Sequence, residues 1–245
     1  MHLKAVTTAK QHYDELLGDH YAWSVAGDDD PFERPAAWLD RHALARAARY
    51  LDLGAGYGAH AVPLARRGAA VTAVDFHGGL LAELRAAAPG VATHEADLLA
   101  FLEAASERWD AVLCLGDTLT HLPEHAAVER LLAGAARVLT PGGFVALSYR
   151  DYSGPPRTGV ERFIPVRADP RRSLLCCVEL ADADHVAVTD ILTTAEPDGL
   201  RTRLGTYRKL RLSPLDVISW AIGADLALDR SILDQGMVLQ VFHAS

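Results

Sequence analysis

The sequence predicts an α/β fold: a Rossmann-like, seven-stranded, mostly parallel sheet with helices on both faces, plus a small antiparallel β insertion after the fifth strand. Three observations predict it. Short apolar runs alternate with helical patterns as far as Arg150, which is typical of a parallel sheet with crossover helices. A glycine-rich turn follows the first apolar run, at Gly54, Gly56 and Gly58. Beyond Arg150, β-rich runs are separated by turn signals.

The N-terminal part has a helical pattern, and the alternation of strands and helices starts after it. Residues 6–19 place Tyr13, Leu16 and Leu17 on one helical face, and Pro31 precedes a second predicted helix over 33–46. Strands are predicted at 49–53, 70–75, 91–94, 109–115 and 143–149, with helices at 58–67, 78–87, 98–105 and 124–138. Because ligands of such sheets gather at the carboxyl ends of the strands, we expect the site there.

The last part of the chain predicts a meander and a closing unit. β-rich runs at 174–180, 186–193 and 202–210 are separated by turn signals at 169–172 and 196–199. Ser213 and Pro214 begin a helix over 213–224, and strands follow near 225–231 and 237–243. We interpret residues 1–245 as a single domain. Its parts are an N-terminal helical cover (1–45), a cofactor-binding core (46–152), the antiparallel insertion (153–212) and a closing helix with strands (213–245).

Composition narrows the class of function. The chain has 245 residues, a formal net charge of −8 and no basic run longer than two residues. A nucleic-acid substrate is therefore not expected, since phosphate binding needs clustered Lys and Arg. No apolar run reaches the ~18 residues of a membrane span, and three cysteines without zinc spacing suit reduced thiols. We expect a cytoplasmic protein that needs no membrane and no metal; its oligomeric state is open, with a homodimer among the alternatives.

The glycine-rich turn is the strongest functional signal. The segment 51–58, Leu-Asp-Leu-Gly-Ala-Gly-Tyr-Gly, ends an apolar run and begins a helical pattern, so its backbone can approach a ligand closely. Asp75 ends the next strand, 21 residues after Gly54, at the spacing of an acid that binds ribose hydroxyls. The pattern predicts an adenosine-containing cofactor. Gly54, Gly56 and Ala59 also satisfy the dinucleotide fingerprint, so NAD stays an alternative on this pattern alone.

Four segments together resemble class I S-adenosylmethionine-dependent methyltransferases. The turn with Asp52 before its glycines resembles the first motif of that family, and segments 95–98, 110–116 and 139–147 follow in the family's order. The resemblance implies S-adenosyl-L-methionine as cofactor, S-adenosyl-L-homocysteine as product and a small-molecule acceptor. The cofactor-binding residues that it implies are Asp52, Gly54, Ala55, Gly56, Asp75, Phe76, Asp97, Leu98 and Leu115.

Two later segments indicate the acceptor end of the site. Residues 110–123 and 148–152 are similar to the matching parts of glycine N-methyltransferase, where an arginine at the place of Arg150 binds an acceptor carboxylate. The similarity implies acceptor binding by Arg150 and Tyr152, and the N-terminal aromatics Tyr21 and Trp23 are expected to line the same site. The candidate catalytic residues are Asp117 and His121. For His121, a general base and a hydrogen-bonding group that orients the loop are both open.

The resemblance therefore implies methyl transfer to a small-molecule acceptor. An amine or an amino-acid-like compound bearing a carboxylate is the first hypothesis. O-methylation of a specialised metabolite is the alternative within the class. A cofactor-binding module without methyl transfer stays open, because fold does not fix chemistry, and an NAD-dependent dehydrogenase is a third alternative.

Overall fold

A computed structural model of the chain describes residues 6–26 and 30–244. Its strands are β1 (Arg49–Leu53), β2 (Ala70–Asp75), β3 (Ala92–Glu95), β4 (Trp109–Cys114), β5 (Leu139–Tyr149), β6 (Phe163–Ala168), β7 (Arg172–Leu180), β8 (His185–Glu196), β9 (Gly199–Leu210), β10 (Leu226–Asp234) and β11 (Met237–Ala244). Its α-helices are α1 (Ala9–His12), α2 (Gly18–Val25), α3 (Glu33–Arg41), α4 (Ala61–Arg66), α5 (Gly78–Ala87), α6 (Leu98–Ala104), α7 (His125–Val138) and α8 (Pro214–Gly223). A π-helical turn, Tyr13–Leu17, joins α1 to α2, and two short 3-10 helices are Thr118–His121 and Gly159–Arg162. No helix among these described residues is both long and apolar enough to cross a membrane.

The main sheet has seven strands in the order β10-β11-β5-β4-β1-β2-β3. Strands β1 to β5 pair in parallel, and β11 pairs antiparallel with both β5 and β10. The chain builds β1 to β3 outward and then returns to place β4 beside β1. This reversal leaves a crevice at the carboxyl ends of β1 and β4, which is where ligands bind in open α/β sheets.

Two apolar layers bury the central strands on both faces. Along β4, Val112 and Cys114 face the layer that contains α6, α7 and α8, while Ala111 and Leu113 face the layer that contains α3, α4 and α5. Successive side chains of a strand point to opposite faces, so a continuous apolar run is what a doubly covered strand requires. The core thereby fixes the strand ends that carry the site.

The insertion forms a second, antiparallel sheet in the order β6-β7-β8-β9. In its register Cys176 of β7 lies opposite Asp190 of β8, and Val188 of β8 lies opposite Tyr207 of β9. The N-terminal segment extends this sheet by one bridge, in which the Thr7 N–H donates to the Thr206 carbonyl at 2.9 Å. The insertion and the N-terminal segment are therefore packed together.

The predicted fold class is confirmed, with differences at element boundaries. Strands 49–53 and 70–75 and helix 78–87 have the predicted bounds. The insertion has a fourth strand, Phe163–Ala168, which sequence analysis missed because it is short and contains Pro165; it is an edge strand, where proline is tolerated. The first helical segment continues to Val25 instead of residue 19. The second ends at Arg41 instead of residue 46, and Ala43 beyond it has a left-handed φ of 49°.

Candidate active site

A cavity of about 1020 Å³ opens at the carboxyl ends of β1, β4 and β5. The N-terminal helices and one face of the insertion form its walls. The predicted site residues that line it are Tyr21, Gly54, Ala55, Leu115, Asp117, His121, Arg150 and Tyr152. Because this volume is at the upper end for ligand pockets, the cavity can hold a sizeable acceptor against the cofactor site.

The glycine loop packs tightly against the loop that follows β4. Gly54 has φ +75°, and a side chain on it would collide with the Thr118 side chain. Gly58 has φ +91°, and a side chain there would lie 2.7 Å from Leu84 and 2.8 Å from Val62. Glycine is therefore required at both positions by backbone conformation and by space. The two loops form one continuous wall of the site.

Two buried carboxyl groups, those of Asp52 and Asp75, lie at this loop. Asp52 Oδ2 is buried without a hydrogen-bond partner among the described residues. Burial, together with the charge of Asp75, raises the pKa of Asp52 to about 7. Asp75 accepts hydrogen bonds from the backbone N–H groups of Gly56 at 2.8 Å and His77 at 2.9 Å, and burial raises its pKa despite them. Within the described parts of the chain neither carboxylate has a Lys or Arg partner, so a cationic ligand would be stabilised here.

The residues predicted for adenine binding lie beyond the lining of the cavity. Asp97 is exposed and caps α6, since its Oδ1 accepts from the N–H groups of Leu99 and Ala100 at 3.0 Å. Leu98 is half-buried against the apolar core. Phe76 packs edge-on against Tyr13, with ring centroids 5.6 Å apart. Adenine binding by these side chains stays a prediction.

The N-terminal helices cover the site, but Trp23 lies away from it. A ring carbon of Tyr21 lies 3.5 Å from where a Gly56 side chain would begin, so Tyr21 covers the glycine loop. Tyr13 contacts both Phe76 and His121, the latter at 6.0 Å between ring centroids. The Trp23 ring instead packs under the Arg172 guanidinium at 4.3 Å. Acceptor binding by Trp23 gains no support from this geometry.

Asp117 joins two cations at the end of β4. Its Oδ2 accepts a hydrogen bond from Lys209 Nζ at 2.5 Å, and its Oδ1 accepts from the Arg150 backbone N–H at 2.8 Å. Arg150 Nε lies 3.9 Å from Oδ2. Burial is the largest single influence and would raise the pKa of Asp117, but the charges of Lys209 and His121 and the hydrogen bonds from Lys209 and Arg150 together outweigh it, and the pKa is lowered. Two cations, Lys209 and Arg150, therefore approach the same carboxylate.

His121 is a neutral side chain in the wall of the cavity. Its ring stacks on Tyr207, with centroids 5.5 Å apart and planes 8° apart, and its Nδ1 is buried without a partner among the described residues. Burial, reinforced by the charge of Lys209, lowers the pKa of His121 to about 3. At neutral pH the imidazole can accept a hydrogen bond but is a weak proton acceptor.

Sequence analysis missed the polar residues that the insertion and helix α1 contribute. His12 Nε2 and Asp190 Oδ2 form a buried hydrogen bond of 2.7 Å, and the Cys176 thiol donates to Asp190 Oδ1 at 2.7 Å. Tyr207 and Lys209 stand two residues apart on β9 and line the cavity. The usable signal was a lysine at an inward position of an alternating strand, which is unusual without a partner or a ligand. No group of three or more His, Cys, Asp or Glu side chains in the described ranges is arranged to hold a metal, and metal independence stays a prediction.

Comparison with known proteins identifies the core. Residues 51–143 match the family model described as a methyltransferase domain. Residues 51–143 are therefore a methyltransferase domain. An ubiquinone biosynthesis O-methyltransferase of Paracidovorax citrulli is 34% identical to it over 138 residues, 53% of this chain and 56% of that protein. A trans-aconitate 2-methyltransferase of Methylobacterium nodulans is 39% identical over 125 residues, 50% of this chain and 46% of that protein.

Similarity to solved structures extends beyond the methyltransferase core. The chain spans about half the length of the curated relatives it matches. The structure of SAM-bound CalS10, an amino pentose methyltransferase from Micromonospora echinaspora involved in calicheamicin biosynthesis, has a TM-score of 0.73 at 20% identity and covers 100% of both chains. At that identity the likeness concerns the fold, and it includes the region of the insertion.

Proposed function

We propose that this protein transfers a methyl group from S-adenosylmethionine to the amine of a small acceptor that also carries a carboxylate. The observation that carries the acceptor assignment is the juxtaposition of two cations that share Asp117, Arg150 and Lys209, with the neutral His121. The methyltransferase domain and its relatives support the reaction class.

The residues around the glycine loop fit this cofactor. When bound, S-adenosylmethionine supplies a methyl group on a positively charged sulfur. Its sulfonium and ammonium groups offset the buried carboxylates of Asp52 and Asp75, for which the described residues provide no cation. The absence of side chains at Gly54 and Gly56 lets their backbone approach the cofactor closely, and Tyr21 covers this loop. We assign Asp52 to the ammonium end and Asp75 to the ribose.

The arrangement favours an amine over a hydroxyl as the methylated group. The histidines that line the cavity, His60 and His121, have pKa values lowered by burial to about 4 and about 3. Asp117 is held as the partner of Lys209. A hydroxyl acceptor needs a base of suitable strength, whereas an amine sheds its proton to water before attack. Among the described lining residues, these groups then position the nucleophile and exclude water instead of removing its proton.

Arg150 is the residue that we assign to the acceptor carboxylate. Its side chain is 51% exposed, on the lining of the cavity, and only its Nε approaches Asp117. The planar guanidinium suits bidentate carboxylate binding. Tyr152, half-buried beside it, lines the same end.

The relation to a trans-aconitate 2-methyltransferase supports a second candidate function, methylation of a carboxylate oxygen, since such an oxygen also needs no base.

A methyl-transfer assay tests the proposal. Methyl-labelled S-adenosylmethionine is incubated with amino acids, matched amines, carboxylic acids and phenols, and products are identified by mass spectrometry. We expect labelled amines, and we expect Arg150→Lys to raise the acceptor KM while the cofactor dissociation constant stays near wild type. Labelling of phenols alone would exclude the amine assignment, and labelling of carboxylic acids alone would favour the second candidate.

A further inference from the structure

The insertion places a buried ammonium group in the wall of the cavity, next to Asp117, and we infer that Lys209 recognises an oxygen atom on the carbon skeleton next to the methylated nitrogen. The acceptor is then an α-amino carboxylate or a 1,2-amino alcohol. This inference rests on the proposed amine methylation and names its substrate class. It gives the insertion, alongside Arg150 of the core, a part in recognising the group that flanks the nucleophile.

Strand β9 places Lys209 in the lining of the cavity, where its ammonium has more N–H donors than hydrogen bonds among the described residues. Tyr207 and Lys209 alternate on one face, and Lys209 is 8% exposed. Within the described residues its ammonium makes one hydrogen bond, to Asp117 Oδ2 at 2.5 Å. An ammonium has three N–H donors, so two of them remain for a ligand. A buried donor without a partner is costly, and a ligand oxygen would satisfy it.

A second polar group, the His121 imidazole, stacks on the ring of Tyr207. The Tyr207 ring centroid lies 5.8 Å from Lys209 Nζ and 5.5 Å from the centroid of the His121 ring. His121 Nδ1 is buried and unpartnered. The charge of Lys209 contributes to the lowered pKa of His121, as expected for close neighbours. One wall of the cavity thus carries the Lys209 ammonium, a donor, and the neutral His121 imidazole, which has one acceptor nitrogen. Together they match the oxygen and the N–H of adjacent groups in one small molecule.

The surroundings favour a carboxylate as the oxygen and an apolar body beyond it. Lys209 and Arg150 both approach Asp117, and the nearby Asp190 is bonded to His12 and Cys176, so these two cations stabilise a ligand anion more than a hydroxyl. The insertion contributes apolar side chains to the lining: Ile164, Val166, Leu174, Val178, Val186 and Val188. An amino acid with an apolar side chain satisfies all of these features.

Three probes that share one apolar body and one amine isolate the oxygen. L-phenylalanine carries a carboxylate, L-phenylalaninol carries a hydroxyl and 2-phenylethylamine carries neither. Methyl transfer to each is measured for wild type, for Lys209→Met, which keeps the length of the side chain but removes its donors, and for Lys209→Arg, which keeps the charge. Lys10→Met is the matched control, because Lys10 is exposed and pairs only with Asp14 on its own helical segment.

We expect the wild-type kcat/KM to fall about tenfold to hundredfold from phenylalanine to phenylethylamine, with phenylalaninol between them. In Lys209→Met the ratio of kcat/KM for phenylalanine to that for phenylethylamine falls to about three or less. Lys209→Arg restores part of the wild-type ratio, and Lys10→Met keeps it. S-adenosylhomocysteine affinity and thermal unfolding, measured on the same samples, show that Lys209→Met is folded. If those two measurements show Lys209→Met to be unfolded, Lys209→Gln replaces it, because its amide can still donate to Asp117 but carries no charge: a wild-type ratio in Lys209→Gln overturns the inference.

An unchanged ratio in Lys209→Met overturns the inference. So does a wild-type protein that methylates phenylethylamine with the same kcat/KM as phenylalanine. If no probe is methylated, calorimetric binding of the three probes to the S-adenosylhomocysteine complex replaces the rate ratio, and failure of all three to bind overturns the inference. Failure of the proposed function looks different: the protein then methylates phenols or carboxylic acids and no amine at all.

Discussion

The fold stabilises the protonated form of the Asp52 carboxyl group. Its pKa is about 7 in the folded protein, against 3.8 in the unfolded chain, because burial and the charge of Asp75 disfavour ionisation. A raised folded-state pKa means that the group contributes stability that is complete below pH 3.8 and is lost as the pH rises through 7. The cofactor-free protein is therefore least stabilised by Asp52 at the pH at which it would work.

Asp52→Asn should remove this pH dependence. The amide is close in shape and cannot ionise, so the free energy of unfolding of the variant relative to wild type should rise by roughly 2–3 kcal/mol between pH 5 and pH 8. Urea unfolding of both proteins without cofactor measures it. With S-adenosylmethionine present the difference should shrink, since the cation stabilises the Asp52 carboxylate. If the free energies of unfolding of the two proteins changed with pH by the same amount, Asp52 would not titrate in this range.

The ionisation of His121 should produce no inflection in the pH dependence of kcat/KM. Because its pKa is lowered to about 3, kcat/KM for an amine acceptor should rise with pH through the amine's own pKa, without an inflection between pH 5 and 7. His121→Asn, whose amide oxygen can still accept a hydrogen bond, should be about tenfold less active at most, and His121→Ala should lose more. A wild-type inflection near pH 6.5 that disappears in His121→Asn would instead identify a general base.

At the scale of elements, the N-terminal helix and strand β9 meet at Gly205. A side chain on Gly205 would lie 2.7 Å from His12 Nδ1 and 2.8 Å from His12 Cε1, and His12 is itself held by Asp190. Gly205→Ala should therefore destabilise the protein by about 1–3 kcal/mol and expose the N-terminal helix to proteolysis. Gly90→Ala, which meets nothing within 4 Å, is the matched control. Equal unfolding midpoints for the two variants would mean that His12 relaxes without strain.

The elements differ in how far the sequence determines them. Strands 49–53 and 70–75 are continuous apolar runs bounded by turn residues, and the structure has the same bounds because both faces of these strands are covered. Strand Phe163–Ala168 has little apolar alternation and depends on pairing with β7. The pairs Asp117–Lys209 and His12–Asp190 join residues far apart in the chain, so neither local pattern nor spacing indicates them. The cofactor end of the site is local in sequence, whereas the acceptor end is made by tertiary packing.

At the scale of the whole molecule, the charge at the glycine loop decides between the two cofactors that the glycine pattern allows. A dinucleotide places its pyrophosphate, an anion, at the loop and the helix that follows it. Here Asp52 and Asp75 are buried at that place and have no Lys or Arg partner within the described ranges. An anion is repelled there, and a sulfonium with an ammonium is attracted. We therefore predict that the two carboxylates select S-adenosylmethionine by charge, although the glycine spacing suits both.

Thermal unfolding with each cofactor should show this selection directly. A ligand at a hundred times its dissociation constant stabilises the folded state by about 2.7 kcal/mol, which for a domain of this size raises Tm by roughly 5–10 °C. We expect such a shift with S-adenosylmethionine and with S-adenosylhomocysteine, and no shift with NAD at the same concentration. Asp75→Ala should reduce the shift, since the loss of a charged hydrogen bond to ribose weakens binding by about 1–3 kcal/mol. If NAD raised Tm while both S-adenosyl compounds left it unchanged, the buried carboxylates would not be selecting a cation, and the assignment of the cofactor would fail with them.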